Sequence, residues 1–157
     1  MTSPFLAGLA FKQALFERIE ALMAEGEDTK DVLVCPGAPG TFLPDEIIAV
    51  TQMEAQFDFA TLGTNRSREV TMTVDVVFSC LFQGDGSMEL PAQTRAMDLI
   101  SRIEESVRLN DSTLGGVVRY CLLTSVQTDG VTPEEYLQAG RGVDVTATFT
   151  ARHRVRR

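Results

Sequence analysis

This chain of 157 residues has one histidine, three cysteines and only 14 lysines and arginines. Each scarcity excludes something. His153 is the sole candidate base for a Ser-His-Asp or Cys-His arrangement, and it lies in a basic stretch at the end of a strand pattern. Cys35, Cys80 and Cys121 are 45 and 41 residues apart with no C-x-x-C, whereas structural zinc needs about four closely spaced ligands. Cys80 and Cys121 fall inside apolar strand patterns and read as small core residues. Free thiols of this kind imply a reducing compartment. There is no H-E-x-x-H, Walker or Rossmann glycine pattern. The loop Pro36-Gly37-Ala38-Pro39-Gly40 has glycines, but its prolines remove backbone donors and no Gly-Lys-Ser/Thr follows, so a phosphate cradle is not expected.

Long apolar runs are also missing. The N-terminal apolar segment is interrupted by Lys12, Glu17, Arg18 and Glu20, so neither a membrane span nor a signal peptide is expected. The 22 acids leave a net charge of −8, which favours solubility and disfavours tight binding to nucleic acid. Adjacent carboxylates at Asp45-Glu46, Glu104-Glu105 and Glu134-Glu135 point apart on a helix or strand and read as solvated charge. The expectation is a protein with no catalytic residues, no metal and no cofactor.

What is present is ordinary for one globular domain, residues 1–157. The apolar fraction is 44% and the charged fraction 23%. A chain of this size buries about 70% of its unfolded surface and can hold a core unaided. Residues 5–24 predict a helix with Phe5, Leu9, Phe16, Ile19 and Met23 on its apolar stripe, widened by Phe11, Leu15 and Leu22. Ser3-Pro4 is the expected start and Gly26 the expected stop. Val32–Cys35 reads as a short strand and Asp45–Met53 as a second. Residues 54–68 read as a long connection or a hairpin extension. Val70–Phe82 alternates strictly over thirteen residues, with one face buried and the other half-exposed.

A second helix follows over roughly 92–109, with Ala96, Leu99, Ile100, Ile103 and Val107 as its stripe. Asp98→Arg102 and Glu104→Arg108 are i,i+4 pairs in the favourable direction. Asn110 and Asp111 mark its end. Strands are expected over 117–126 and 143–155, joined by a polar loop with a turn near Pro133–Leu137. The order is α-β-β-β-α-β-β. It predicts an α+β two-layer sandwich, a mainly antiparallel sheet with both helices on one face.

The candidate functional residues are surface groups. Phe57, Phe59, Arg66 and Arg68 place two aromatics beside two arginines in the 54–68 segment, which reads either as an interaction surface or as a loop folded on its own core. Glu134, Glu135 and Tyr136 lie in the second loop. Arg154, Arg156 and Arg157 belong to a tail that holds four of the fourteen basic residues, read either as solvated charge or as an ionic contact with an acidic neighbouring subunit. Patches of opposite sign on one chain suit a head-to-tail contact, and a closed ring leaves no free interface.

The stretch D-S-T-L-G-G-V-V-R-Y follows the second helix, and Gly115-Gly116 permits positive φ before the chain re-enters the sheet. With the V-L-V strand and its Pro/Gly loop, the long R-E-V-T-M-T-V-D-V-V-F strand and the closing V-D-V-T-A-T-F-T-A-R strand, the chain resembles the tail terminator proteins of long-tailed, non-contractile bacteriophages, the minor tail protein U-like family. The resemblance covers most of the chain. It implies a non-enzymatic virion protein of the tail and neck region, assembled in the host cytoplasm. Such proteins form a ring, a hexamer in that family, on the finished tail tube. The implied partners are further copies of the chain, the tail tube protein and a head-to-tail connector or stopper protein. DNA would pass through the lumen without specific binding, and a six-copy ring would carry about −48, which disfavours sticking. Another neck component, such as a connector or head-completion protein, or a small binding domain with no phage role, fits the same layout.

Overall fold

The computed structural model describes residues 6–40, 44–59 and 68–155. In chain order these form α1 (Ala7–Glu25), β1 (Leu33–Cys35), β2 (Glu46–Phe59), β3 (Arg68–Phe82), α2 (Glu89–Glu105), β4 (Tyr120–Thr128) and β5 (Arg141–Val155). A π-helical turn, Ser106–Asn110, extends α2, and Glu134–Tyr136 makes one 3₁₀ turn. The five strands form one sheet in the order β1-β2-β3-β5-β4. β1 runs parallel to β2, and every other pairing is antiparallel. The protein is therefore an α+β two-layer sandwich with α1 and α2 on one sheet face.

The core lies between those layers. β3 buries Val70, Met72, Val74, Val76, Phe78 and Cys80, and β5 buries Val143, Val145, Ala147, Phe149 and Ala151. The register places these residues opposite one another without interruption, from Met72↔Ala151 to Cys80↔Val143. Period-2 alternation makes this possible, since one unbroken register keeps every apolar side chain on one face. α2 adds Ala92, Ala96, Leu99, Ile100 and Ile103. Burying one large apolar side chain contributes roughly 1.5–3 kcal/mol.

On α1 the buried line is Ala7, Phe11, Leu15, Ile19 and Met23, while Phe16 and Leu22 flank it. Leu9, expected on the stripe, is 54% exposed. The buried residues advance in steps of four, and Leu9 lies two positions from both Ala7 and Phe11, on the far side of the helix. Gly26 does end α1, but in an extended conformation with φ −81° and not a left-handed one. The expected start at Ser3-Pro4, and Phe5, lie outside the described residues.

Two bulges shape the sheet. In β2 the register shifts between Val50 and Met53, so Ile48 and Val50 face the core before the shift and Met53, Ala55 and Phe57 after it. Thr51 Oγ1 donates to the Asp75 carbonyl at 3.0 Å across this irregularity. In β4 the shift falls between Leu123 and Ser125, and Thr124 Oγ1 donates to the Thr148 carbonyl at 3.2 Å. In both places a threonine hydroxyl occupies a neighbouring-strand carbonyl where the ladder is disturbed. Within the 54–68 segment, residues 54–59 continue β2 as far as Phe59 and Arg68 opens β3.

The turn from α2 to β4 is built around Asp111. Its carboxylate accepts from Thr113 N at 3.0 Å, from Thr113 Oγ1 at 2.5 Å and from Gly115 N at 2.8 Å. Those bonds, the Thr113 hydroxyl foremost, hold the carboxyl down at about 2. Leu114, Gly115 and Gly116 follow with φ of 51°, 75° and 86°. Three left-handed residues in a row need glycine at the exposed positions, and Leu114 offsets its strain by burial to 5%. Val118 N then bonds back to the Thr113 carbonyl at 3.1 Å, so Val117 and Val118 belong to the turn and the strand starts at Tyr120 and not at 117.

Candidate assembly surface

Among the described residues both helices pack on the inner sheet face, which leaves the outer face open. Its central rows are hydroxyls and carboxylates: Thr73 beside Thr150, Asp75 beside Thr148, Ser79 beside Asp144. Thr148 Oγ1 donates to Asp75 Oδ1 at 2.8 Å, Ser79 Oγ donates to Asp144 Oδ1 at 2.7 Å, and the Thr124 and Thr150 hydroxyls share a 2.8 Å bond. Polar side chains satisfied by one another on an open sheet keep it wet without unpaired donors.

One end of this face is concave. A groove of about 380 Å³ has Ile47, Ala49, Val77 and Leu81 in its floor, with Pro39 and Pro44 along one wall and Pro133 and Tyr136 along the other. The apolar floor explains why Ile47 and Ala49, though on the outer face, are 9% and 6% exposed. Asp45 and Asp144 stand among its lining residues.

The Tyr136 wall is held in place by contacts from α2. Buried Thr132 donates to Glu89 Oε1 at 2.7 Å and accepts from Gly142 N at 3.1 Å. Gln93 Nε2 donates to the Gly130 carbonyl at 2.9 Å, and Arg141 Nη1 donates to the Leu137 and Gly140 carbonyls. Gly140 has φ 149°, and a Cβ there would run into the Phe82 carbonyl. A polar loop thereby becomes a fixed platform. On it Glu134, Glu135 and Tyr136 form one exposed turn, and neither glutamate makes an ion pair among the described residues.

The opposite end of the face is basic. Arg152 is exposed and sits across from Tyr120 on β4 and Thr71 on β3. Arg154 is half-buried opposite Glu69, and its Nε is buried without a hydrogen-bond partner among the described residues. Arg119 lies nearby, 3.7 Å from Glu69. Leu122 is 46% exposed and paired with Thr150 on the outer face.

The candidate residues from the sequence therefore divide. Tyr136 lines the groove, and Glu134 and Glu135 are exposed on the same turn, between the lining residues Pro133 and Tyr136. Arg154 and Arg68 stand at the far end, where Arg68 opens β3 and pairs in register with Phe59 and Val155. Phe57 lies on the inner face, packed against the core, so it serves the fold. Phe59 closes β2. Arg66, Arg156 and Arg157 fall outside the described residues. Leu122 and the groove floor are not among the candidates, and Arg152 enters the sequence reading only as one of the four arginines of the basic tail.

Several charged groups elsewhere are engaged. Arg95 Nε donates to Glu46 Oε2 at 2.7 Å, and Arg102 grips both oxygens of Asp28 at 2.8 and 2.7 Å. Arg102 first, then Arg95, holds the Asp28 carboxyl well below the usual carboxylate range. This network ties the segment after α1 to α2 and β2, and it corrects the reading of Glu46 as solvated charge. Glu104 pairs with Arg108 at 2.6 Å, so it too has a partner. Burial pushes the thiols of Cys80 and Cys121 up to about 12, which leaves them protonated at neutral pH. Among the described residues, no three His, Cys, Asp or Glu side chains group as metal ligands would, and no helix is long and apolar enough to cross a membrane.

The fold and this surface define a two-layer domain with one sheet face open and charge separated along it. No protein-family model matches the chain, and no curated protein matches it in sequence.

Proposed function

We propose that this protein is a structural virion component that caps the completed tail tube of a bacteriophage as a ring and presents a joining surface to the head-side connector. The observation that carries the reading is the open sheet face, with an acidic, apolar-floored end and a basic end. A single chain cannot satisfy both ends, but a head-to-tail array of copies can, and cyclic closure of such an array leaves no unpaired surface. The chain's resemblance to tail terminators supports the same reading. In it the protein has no catalytic role and needs no cofactor, and DNA crosses the lumen without specific contacts. Its place is the tail and neck of the particle. Quantitative mass spectrometry of purified particles tests this: about six copies per particle fits a terminal ring. Copies in the hundreds would make it a tube subunit, and absence would remove it from the virion.

The groove favours a second reading, a small binding domain, because its volume falls within the range of small-ligand pockets. A metabolite that raises the melting temperature of the isolated protein, together with absence from particles, would select that reading.

A further inference from the structure

The geometry points to a specific contact between copies: the outer-face groove of one chain receives the Leu122–Arg152 corner of a second copy. This deepens the ring reading and rests on it for the identity of the occupant.

The two surfaces match in chemistry. The groove offers an apolar floor of Ile47, Ala49 and Val77 with the carboxylates of Asp45 and Asp144 among its lining residues, and exposed Glu134 and Glu135 stand on the turn between its lining residues Pro133 and Tyr136. The far corner offers an exposed leucine beside an exposed arginine with no ion pair among the described residues. A leucine into an apolar floor and a guanidinium onto a carboxylate rim is the usual anatomy of an interface centre and its border. The arginine suits the border because it can grip a carboxylate with two parallel bonds.

The two surfaces cannot meet within one chain. Arg152 lies eight positions from Asp144 along β5, which carries no bulge. At about 3.3 Å per residue that is about 26 Å of extended strand. The groove wall is also ready-made. The loop that carries Tyr136 is anchored by Thr132, Arg141 and Gly140, so docking onto it costs little loop ordering.

Two variants, each with one added cysteine, test the contact: Tyr136→Cys in one preparation and Thr124→Cys, an exposed neighbour that leaves Leu122 and Arg152 intact, in the other. The native Cys35, Cys80 and Cys121 are buried. The two preparations are mixed at high concentration, treated with a short bismaleimide and analysed by mass spectrometry and sedimentation velocity. The expected product is the 136–124 link between chains, in excess over 136–136 and 124–124 links. It is lost when the Tyr136→Cys chain also carries Glu134→Arg and Glu135→Arg. Both glutamates are exposed and make no ion pair among the described residues, so that variant keeps its fold, and circular dichroism checks this. The 136–124 link together with species larger than two copies supports both the contact and the ring. The same link in a population that stops at two copies supports the contact and overturns the ring. Larger species without the link overturn the contact and leave the ring standing. A monomer with no link, even at millimolar concentration, overturns the contact.

Discussion

The two faces of β5 teach different lessons about the same fifteen residues. The inner face carries Val143, Val145, Ala147, Phe149 and Ala151, all at most 2% exposed. Its character is constant along the strand because the same core lies above every position. The outer face carries Asp144, Thr146, Thr148, Thr150 and Arg152, and its character changes from acid through hydroxyl to base. Nothing in the packing of one chain demands that gradient. Stability therefore resides on the inner face, and the charge order of the outer face is available for assembly.

The strongest way to break this comparison is at the centre of the inner face. Phe149→Ala removes a fully buried ring and should cost about 3–5 kcal/mol, read as a fall in the denaturation midpoint. A smaller loss would mean that the core collapses around the gap. Gly140→Ala acts at the boundary between the faces. It forces a side chain into a left-handed conformation against the Phe82 carbonyl, so a cost of about 2 kcal/mol or more is expected, with the Tyr136 platform displaced.

A pH effect at Asp111 should be smaller. Its carboxyl titrates lower in the folded chain than in the unfolded one, about 2 against 3.8. The stabilisation is therefore fully present above the unfolded value and disappears as pH falls through the folded one. Asp111→Asn should lower the melting temperature at pH 7, and the gap from the native protein should narrow as the pH approaches 2. A gap that stays constant over that range would remove the carboxylate's role. The least effect is expected on the outer face: Thr148→Val, which takes one hydroxyl from the Asp75 carboxylate, should cost about 1 kcal/mol, measured by chemical denaturation. A loss near that of Phe149→Ala would show that the open face supports the fold.

The inner face was legible before the structure was known. Alternation over 70–82 and 143–151 reads directly because β3 and β5 pair without a bulge. The second half of β2 was not legible, because the irregularity after Val50 moves the core-facing positions from even to odd numbers and breaks the pattern. Helix α1 misled at Leu9 because apolar residues occur on several of its sides. From sequence alone the platform around Tyr136 reads as an ordinary polar loop. Its anchors join residues far apart in the chain, such as Thr132 with Glu89, and no local pattern announces them. The groove was invisible for the same reason, since strands β2, β3 and β5 and two separate loops each supply part of it. The acidic and basic clusters were visible as composition, and only the topology sets them at opposite ends of one face.

The proposed reading makes this a phage gene, and the most direct measurement on that claim is deletion of the gene, with the lysate imaged by negative-stain electron microscopy. The account predicts overlong or irregular tails that stay unattached to DNA-filled heads. Tails of normal length beside empty or leaking heads would move the protein to the head side of the neck, and unchanged particles would contradict the account altogether.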